Sequence, residues 1–187
     1  IDMHVLLTRP LEDCHNLILR FKNLGHLVSH LPLLNIEPIK YHPVNFSEFK
    51  SIIFTSANAI KFLDTKNIDK NTLCFCVGNS TEKKAKSVGF QNIFTAGGNA
   101  SNLKELILKN FEPSDGKIIY FSGEILSTEL DKDLELTGYK LKRVINYKTI
   151  HNEKFDEKFV DQLKLNMPDL VYVYSQNSAL SFLNFIK

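Results

Sequence analysis

Tryptophan is absent from the 187 residues, methionine occurs twice, and arginine occurs three times (Arg9, Arg20, Arg143) against twenty lysines. Charge of one sign is also lacking: 23 Lys and Arg face 21 Asp and Glu, for a net charge of +2. That balance excludes a dedicated nucleic-acid binder, whose contact face shows as a strong basic excess. No apolar run approaches the roughly 20 residues needed to cross a bilayer, so a transmembrane helix is excluded. The three cysteines (Cys14, Cys74, Cys76) are an odd number in a chain of this size and do not describe a disulfide framework. They point to a reducing compartment. The amino terminus opens Ile1-Asp2-Met3-His4 and enters a strand at once, without the basic and apolar stretches of a signal peptide, so a cytoplasmic protein is expected.

The usual catalytic signatures are missing as well. There is no G-x-x-x-x-G-K-[ST], no G-x-G-x-x-G after a strand, no H-E-x-x-H and no G-x-S-x-G. The six histidines (His4, His15, His26, His30, His42, His151) are scattered, with no Ser or Cys partner indicated. Cys74 and Cys76 form a C-x-C on an apolar run, where both face one side of a strand. A metal site needs further ligands at metal spacing and none is near, so the pair reads as small buried hydrophobes. Gly97-Gly98-Asn99, a loop entering a helix, is only a weak phosphate-cradle candidate.

What is present is a composition of 43% hydrophobic and 24% charged residues, ordinary for a globular chain. Short β-branched or aromatic runs alternate with amphipathic stretches from end to end. Strands are expected at 4–8, 27–31, 52–55, 73–77, 93–94, 118–121, 141–147 and 170–174. Helices are expected at 12–24, 57–63, 80–88, 101–110, 125–136, 156–165 and from 177 onward. The segment 35–38 is expected to lead away from a strand. Strands alternating with helices mean βαβ units, a mainly parallel sheet and an α/β fold.

An internal repeat organises these units. VLLTRP at 5–10 and IIYFSG at 118–123 both lead into helices that close at Gly25 and Gly138, and both pairs are offset by 113 residues. Phe54-Thr55-Ser56-Ala57-Asn58 resembles Val173-Tyr174-Ser175-Gln176-Asn177, offset by 119. The ordered set implies two related halves. The copies are unequal: 60 residues run from Ser56 to Asp115, but 13 from Ser175 to Lys187. Either the chain is a fragment, with the carboxy-terminal part of one domain missing, or its second half is short.

Small hydroxyl and amide residues recur at the strand-to-helix turns: Thr8-Arg9, Thr55–Asn58, Gly78–Thr81, Gly97–Ser101, Ser122-Gly123 and Ser175–Asn177. In a parallel sheet such turns line the carboxyl edge, where ligands bind. Helix starts there also offer unpaired N–H groups to carboxylates or phosphates. Ser, Thr and Asn are equally good helix caps, which is the alternative at any one turn. Six turns in two halves favour a ligand with several negative charges, held mainly by backbone.

Taken in order, TRP at 8–10, IIFTSANAI at 52–60, CVGNST at 76–81 with Gly89-Phe90, GGNAS at 97–101, YFSGE at 120–124, the segment Arg143–Thr149 and VYS at 173–175 resemble uroporphyrinogen-III synthase. The resemblance runs from Val5 to the end of the chain. It implies two flavodoxin-like α/β domains joined by a two-stranded connector, with the active site in the cleft between them. The domains would be 1–36 plus 150–187, and 40–147. The implied reaction is closure of hydroxymethylbilane, a linear tetrapyrrole with eight carboxylates, to uroporphyrinogen III in heme biosynthesis. Water is lost and ring D is inverted through a spiro intermediate, without metal or cofactor. Tyr147 matches the tyrosine that hydrogen-bonds the leaving hydroxyl; its alternative role is an aromatic packing the connector. Ser56, Thr81 and Ser175 match hydroxyls facing the cleft, with Thr55, Asn58, Gly78 and Asn177 beside them, and together these would bind carboxylates. Arg9 is the candidate side-chain cation, or else a surface ion pair. A monomer without nucleic-acid or membrane partners is expected. The competing readings are a non-catalytic two-lobed anion-binding module and an inactive, truncated relative.

Overall fold

The computed structural model describes residues 2–187; Ile1, which the expected first domain includes, lies outside the described residues. In chain order the strands are β1 (His4–Leu7), β2 (Leu27–His30), β3 (Leu34–Pro38), β4 (Phe49–Phe54), β5 (Leu73–Val77), β6 (Ile93–Ala96), β7 (Lys117–Gly123), β8 (Leu141–His151) and β9 (Leu170–Tyr172). The helices are α1 (Leu11–Asn23), α2 (Ala57–Lys61), α3 (Gly78–Ser87), α4 (Ala100–Asn110), α5 (Leu130–Leu136), α6 (Glu157–Leu165) and α7 (Gln176–Phe185). They fold as two compact units, Ile1–Ile36 with Thr149–Lys187, and Glu37–Lys148.

The first unit is built on a three-stranded sheet in the order β2-β1-β9, with β1 parallel to both neighbours. Alternation along β1 sends Val5 and Leu7 to one face, where Cys14, Leu17, Ile18 and Phe21 of α1 cover them. Leu6 faces the other way, against Leu163 of α6 and Phe182 and Phe185 of α7. α1 ends because Gly25 adopts φ +85°, which lets His26 N–H bond back to Phe21 O at 3.1 Å and Gly25 N–H to Lys22 O at 3.0 Å. Gly138 closes α5 in the same way at φ +93°, with Tyr139 N–H on Leu134 O. A residue with a Cβ is disfavoured at both positions.

The second unit carries the order β8-β7-β4-β5-β6, every one of these pairs parallel. Ile52, Phe54, Cys74, Cys76, Ile119, Phe121 and Val144 form one face with Ala59 and Ile60 of α2 and Ala85 of α3. Ile53, Phe75, Ile118 and Tyr120 form the other, under Leu103 and Ile107 of α4 and Leu130 and Leu134 of α5. With helices on both faces, the strands are near-continuous apolar runs, as parallel sheets require. Cys74 and Cys76 share a face with their sulfurs 3.6 Å apart. Their mutual hydrogen bond, then burial, pushes the Cys74 thiol up, so it stays protonated and a poor metal ligand or nucleophile.

The sequence repeat appears as a repeat of strand order. β2-β1-β9 in one unit is matched by β8-β7-β4 in the other, with VLLTRP opening on β1 and IIYFSG lying within β7.

Several elements differ from the sequence expectation. The segment 35–38, expected from the residues only to lead away from a strand, does so as part of β3, at the edge beside β8, in line with the two-stranded connector that the resemblance implies. Asn152 N–H bonds to Leu33 O and Ile39 N–H to Asn146 O, so β3 runs antiparallel to β8. That pairing also prolongs β8 from the expected 147 to His151. The helix expected from 125 begins only at Leu130; Leu126 packs on the same core from the preceding loop, and Ile125 is solvent-exposed. β9 stops at Tyr172, since beyond it the backbone of Tyr174 and Ser175 turns to bond Ser178 Oγ.

Candidate functional site

In the second unit the chain leaves β4 through α2 toward β5, and leaves β7 through α5 toward β8. Adjacent strands β4 and β7 thus send their connections in opposite directions, and a crevice at their carboxyl ends is where such sheets take ligands. In the first unit β1 leads through α1 to β2 on one side, and its other neighbour β9 leads into α7.

At the β4 end, Thr55 Oγ1 and Tyr120 Oη share a hydrogen bond of 3.0 Å. Burial pushes the Tyr120 phenol up and the Thr55 bond opposes it, so Tyr120 stays neutral and holds Thr55 in place. Ser56 caps α2, its Oγ accepting from Asn58 N–H at 3.2 Å. Thr55, Ser56 and Asn58 are all half-buried at this edge.

Gly78 opens α3 at φ +78°, and no atom lies within 4 Å of the position a Cβ would take, so the backbone there is open to approach. Thr81 departs from the expectation. It is only 4% exposed and its side chain turns into the unit's interior, because the helix places it on the same face as buried Ala85. Asn79 and Ser80 are the exposed polar residues of that turn. The Gly97-Gly98-Asn99 loop is closed on itself: Asn102 Nδ2 donates to Gly97 O at 2.5 Å while Asn99 Oδ1 accepts from Asn102 N–H at 3.1 Å.

At the β7 end the Tyr147 ring lies against Gly123, and Glu124 N–H donates to Tyr147 O at 2.9 Å. Arg143 fastens this edge. Its Nε donates to Ser122 Oγ at 2.8 Å, and Nη2 donates to Gly123 O at 2.9 Å and Glu124 O at 3.0 Å. Nη1 lies 3.8 Å from the Asp131 carboxylate. Beside it, Leu126, Ser127, Thr128, Glu129 and Lys132 line a hollow of about 250 Å³. Sequence reasoning missed the part Arg143 plays; its being one of only three arginines was the available signal.

In the first unit, Thr8 Oγ1 donates to Tyr172 O at 2.8 Å and ties the end of β1 to β9. The Arg9 guanidinium carbon sits 4.6 Å from the Tyr174 ring centroid, and Nε is 3.6 Å from Asp13. Arg9 thus makes an ion pair, and its side chain remains 45% exposed at the carboxyl edge. His30 Nε2–H donates to Arg9 O at 2.6 Å and fixes the backbone beneath. Burial pushes the Tyr174 phenol up, so the ring under Arg9 is neutral. Ser175 caps α7 reciprocally with Ser178, accepting from Ser178 N–H at 3.2 Å while its own N–H donates to Ser178 Oγ at 2.9 Å. Asn177 is exposed in the first turn.

Thr55, Ser56, Asn58, Gly78 and Tyr147 thus share one sheet edge in the second unit, and Arg9, Ser175 and Asn177 share one in the first. Among the described residues no group of three or more His, Cys, Asp or Glu could hold a metal ion, and no helix is long and apolar enough to cross a membrane.

A family model described as uroporphyrinogen-III synthase HemD matches residues 16–187. The porphyrin biosynthesis protein HemD of Ruminiclostridium josui is 28% identical over 159 residues, which is 78% of this chain and 32% of that protein. The chain therefore spans about a third of the length of this curated relative. Among solved structures, the uroporphyrinogen-III synthetase of Helicobacter pylori superposes with a TM-score of 0.66 at 17% identity, covering 100% of this chain and 79% of that one. A mutant uroporphyrinogen III synthase of Thermus thermophilus gives 0.60 at 13% identity, covering 97% and 76%. At these identities the structures share the fold.

Proposed function

Since the chain belongs to the uroporphyrinogen-III synthase HemD family, we propose that it closes hydroxymethylbilane to uroporphyrinogen III with loss of water and inversion of ring D. The observation that carries this reading is the packing of Tyr147 on Gly123, which sets one phenolic hydroxyl at the carboxyl edge beside the switch between β4 and β7.

The chemistry asks little of acid strength and much of geometry. A pyrrole nitrogen pushes electrons toward its hydroxymethyl arm, and the C–O bond breaks once a donor sits on the leaving oxygen. Tyr147 is the donor; the hydroxyl leaves as water when the proton is delivered. Left in solution, the cation closes at the nearest free carbon and ring D is not inverted. The protein's work is to fold the chain so that the substituted carbon of ring D attacks first and a spiro intermediate forms.

The eight carboxylates supply the handles for that folding. The open backbone at Gly78, the first N–H groups of α3 and α7, and the polar groups of Thr55, Ser56, Asn58, Ser175 and Asn177 offer neutral donors. Thr81 contributes through its place in the first turn of α3 and not through its hydroxyl, which is turned inward. Arg9, held flat on Tyr174, adds a cation whose direction is fixed by the ring. We further propose that the protein acts as a monomer in the cytoplasm; its three cysteines are free and buried, as suits a reducing compartment.

Incubation with freshly generated hydroxymethylbilane, followed by separation of the product isomers, tests the reading. Isomer III formed faster than spontaneous closure is the expected result. Isomer I alone, at the spontaneous rate, overturns it.

A further inference from the structure

The register between β7 and β8 is interrupted at one point. Ser122 lies opposite Ile145, but the next residue, Gly123, lies opposite Tyr147, so Asn146 is an extra residue in β8. Bulges are uncommon in parallel pairs and concentrate beside functional sites, where they re-aim a side chain. Without this one, Gly123 would face Asn146 and the Tyr147 ring would lose the bare Cα it packs against.

Asn146 is also costly where it stands. It is fully buried, its Nδ2 donates to Ala59 O of α2 at 2.7 Å, and its Oδ1 has no partner among the described residues. A buried amide with half its hydrogen-bonding capacity unmet is disfavoured against an apolar side chain of equal volume. What it supplies is a tether 87 residues long in sequence, from the bulge to the helix that Ser56 caps. On the other side of the same residue, Asn146 O accepts from Ile39 N–H at 2.9 Å, so the bulge is held from two directions.

We infer that Asn146 is a positioning residue: its amide pins the bulge in β8 to α2 and thereby aims Tyr147 across Gly123. The inference rests on the role given to Tyr147 above. It accounts for three features together: the added residue in β8, the missing Cβ at position 123, and the half-satisfied amide in an apolar face. Ser56 and Tyr147 come from β4 and β8 with β7 between them, and this bond adds a direct tie across β7 to the ladders that already join the three strands.

The test compares two amides in the full chain by hydrogen exchange. Glu124 N–H, bonded to Tyr147 O, reports the register beyond the bulge; Ile118 N–H, bonded to Lys140 O, reports it before the bulge. In Asn146→Leu, which keeps the volume and removes the donor, Glu124 is expected to exchange at least tenfold faster while Ile118 is unchanged. Equal acceleration of both, or continued protection of Glu124, overturns the inference. Asn146→Ser, whose hydroxyl is too short to reach Ala59 O, is read in the same way if the leucine variant does not fold. With hydroxymethylbilane, Asn146→Leu should lower kcat with KM held, and should cost nothing further in a Tyr147→Phe background. Additive losses in the double variant also overturn it. If Tyr147→Phe turns over at the full rate, the functional reading of Tyr147 fails, and the two amides still decide whether Asn146 sets the register.

Discussion

The Tyr147 ring fills the space that a side chain on Gly123 would need: Cε2 and Cζ lie 2.8 Å, and Oη 3.1 Å, from the position of an added Cβ. Gly123→Ala should therefore expel the ring without disturbing the sheet. Overpacking of this kind costs about 1–3 kcal/mol. A loss of about 1.4 kcal/mol in the transition state appears as a tenfold lower rate of isomer III formation. Gly97→Ala, in open space and without a left-handed backbone, is the control and should leave the Tyr147 ring resonances where they are.

Tyr147→Phe keeps the ring against Gly123 and removes only Oη. Closure to isomer III should slow by about 10²-fold, the lower range for a positioned proton donor. The share of isomer I should rise as spontaneous closure overtakes the enzyme. The midpoint of thermal unfolding should stay within a few degrees, since that hydroxyl makes no hydrogen bond among the described residues.

If Arg9 is the proposed substrate-binding cation, Arg9→Gln should raise KM several-fold and leave kcat nearly unchanged, because the guanidinium stands at the exposed edge. The difference from wild type should shrink with added salt, since screening at about 0.15 M acts over roughly 8 Å. Equal KM values at low salt would return Arg9 to a purely structural place on Tyr174 and Asp13.

Stability should fall at alkaline pH. Burial raises the Cys14, Tyr120, Tyr139 and Tyr174 groups above their ordinary values of 9.0 for the thiol and 10.0 for the phenols, and contact with Cys76 raises Cys74 further. Above about pH 9 the unfolded chain releases these protons and the folded chain keeps them, so the unfolded state binds fewer protons and stability drops as pH rises. The midpoint of thermal unfolding is expected to hold between about pH 7 and 8.5 and to fall steadily from about pH 9 upward. A flat profile to about pH 10.5 would contradict these assignments.

The repeat was legible because it is written in local chemistry. A glycine that must turn left-handed after a helix marks both Gly25 and Gly138, and apolar runs mark β1 and β7. The helix-starting hydroxyls at Ser56 and Ser175 were legible for the same reason, as both are caps. Thr81 was expected to face the cleft by its match to the family pattern, whereas the direction of its hydroxyl depends on which face α3 buries. β3 was legible only through the connector that the resemblance implied, because its apolar alternation is weak and the partner strand β8 makes it a strand. The bulge at Asn146 leaves no local trace, since register belongs to a pair of strands and not to either one. Arg143 draws its partners from Ser122, Gly123 and Glu124, about twenty residues away, which no spacing rule foretells.

The pairing of Val5 with Leu170 sets a timetable for the chain as it leaves the ribosome. β1 emerges early but lacks a neighbour on one side until some 165 residues later, while β4 to β8 follow one another and can close as they appear. Non-local pairings of this length are slow to form. The segment bearing Tyr147 and Gly123 is therefore expected to be ordered while α1 is still waiting, with the apolar face of β1 exposed in the interval. A chaperone that holds nascent chains would find its target there, at β1, and not in the segment bearing Tyr147 and Gly123.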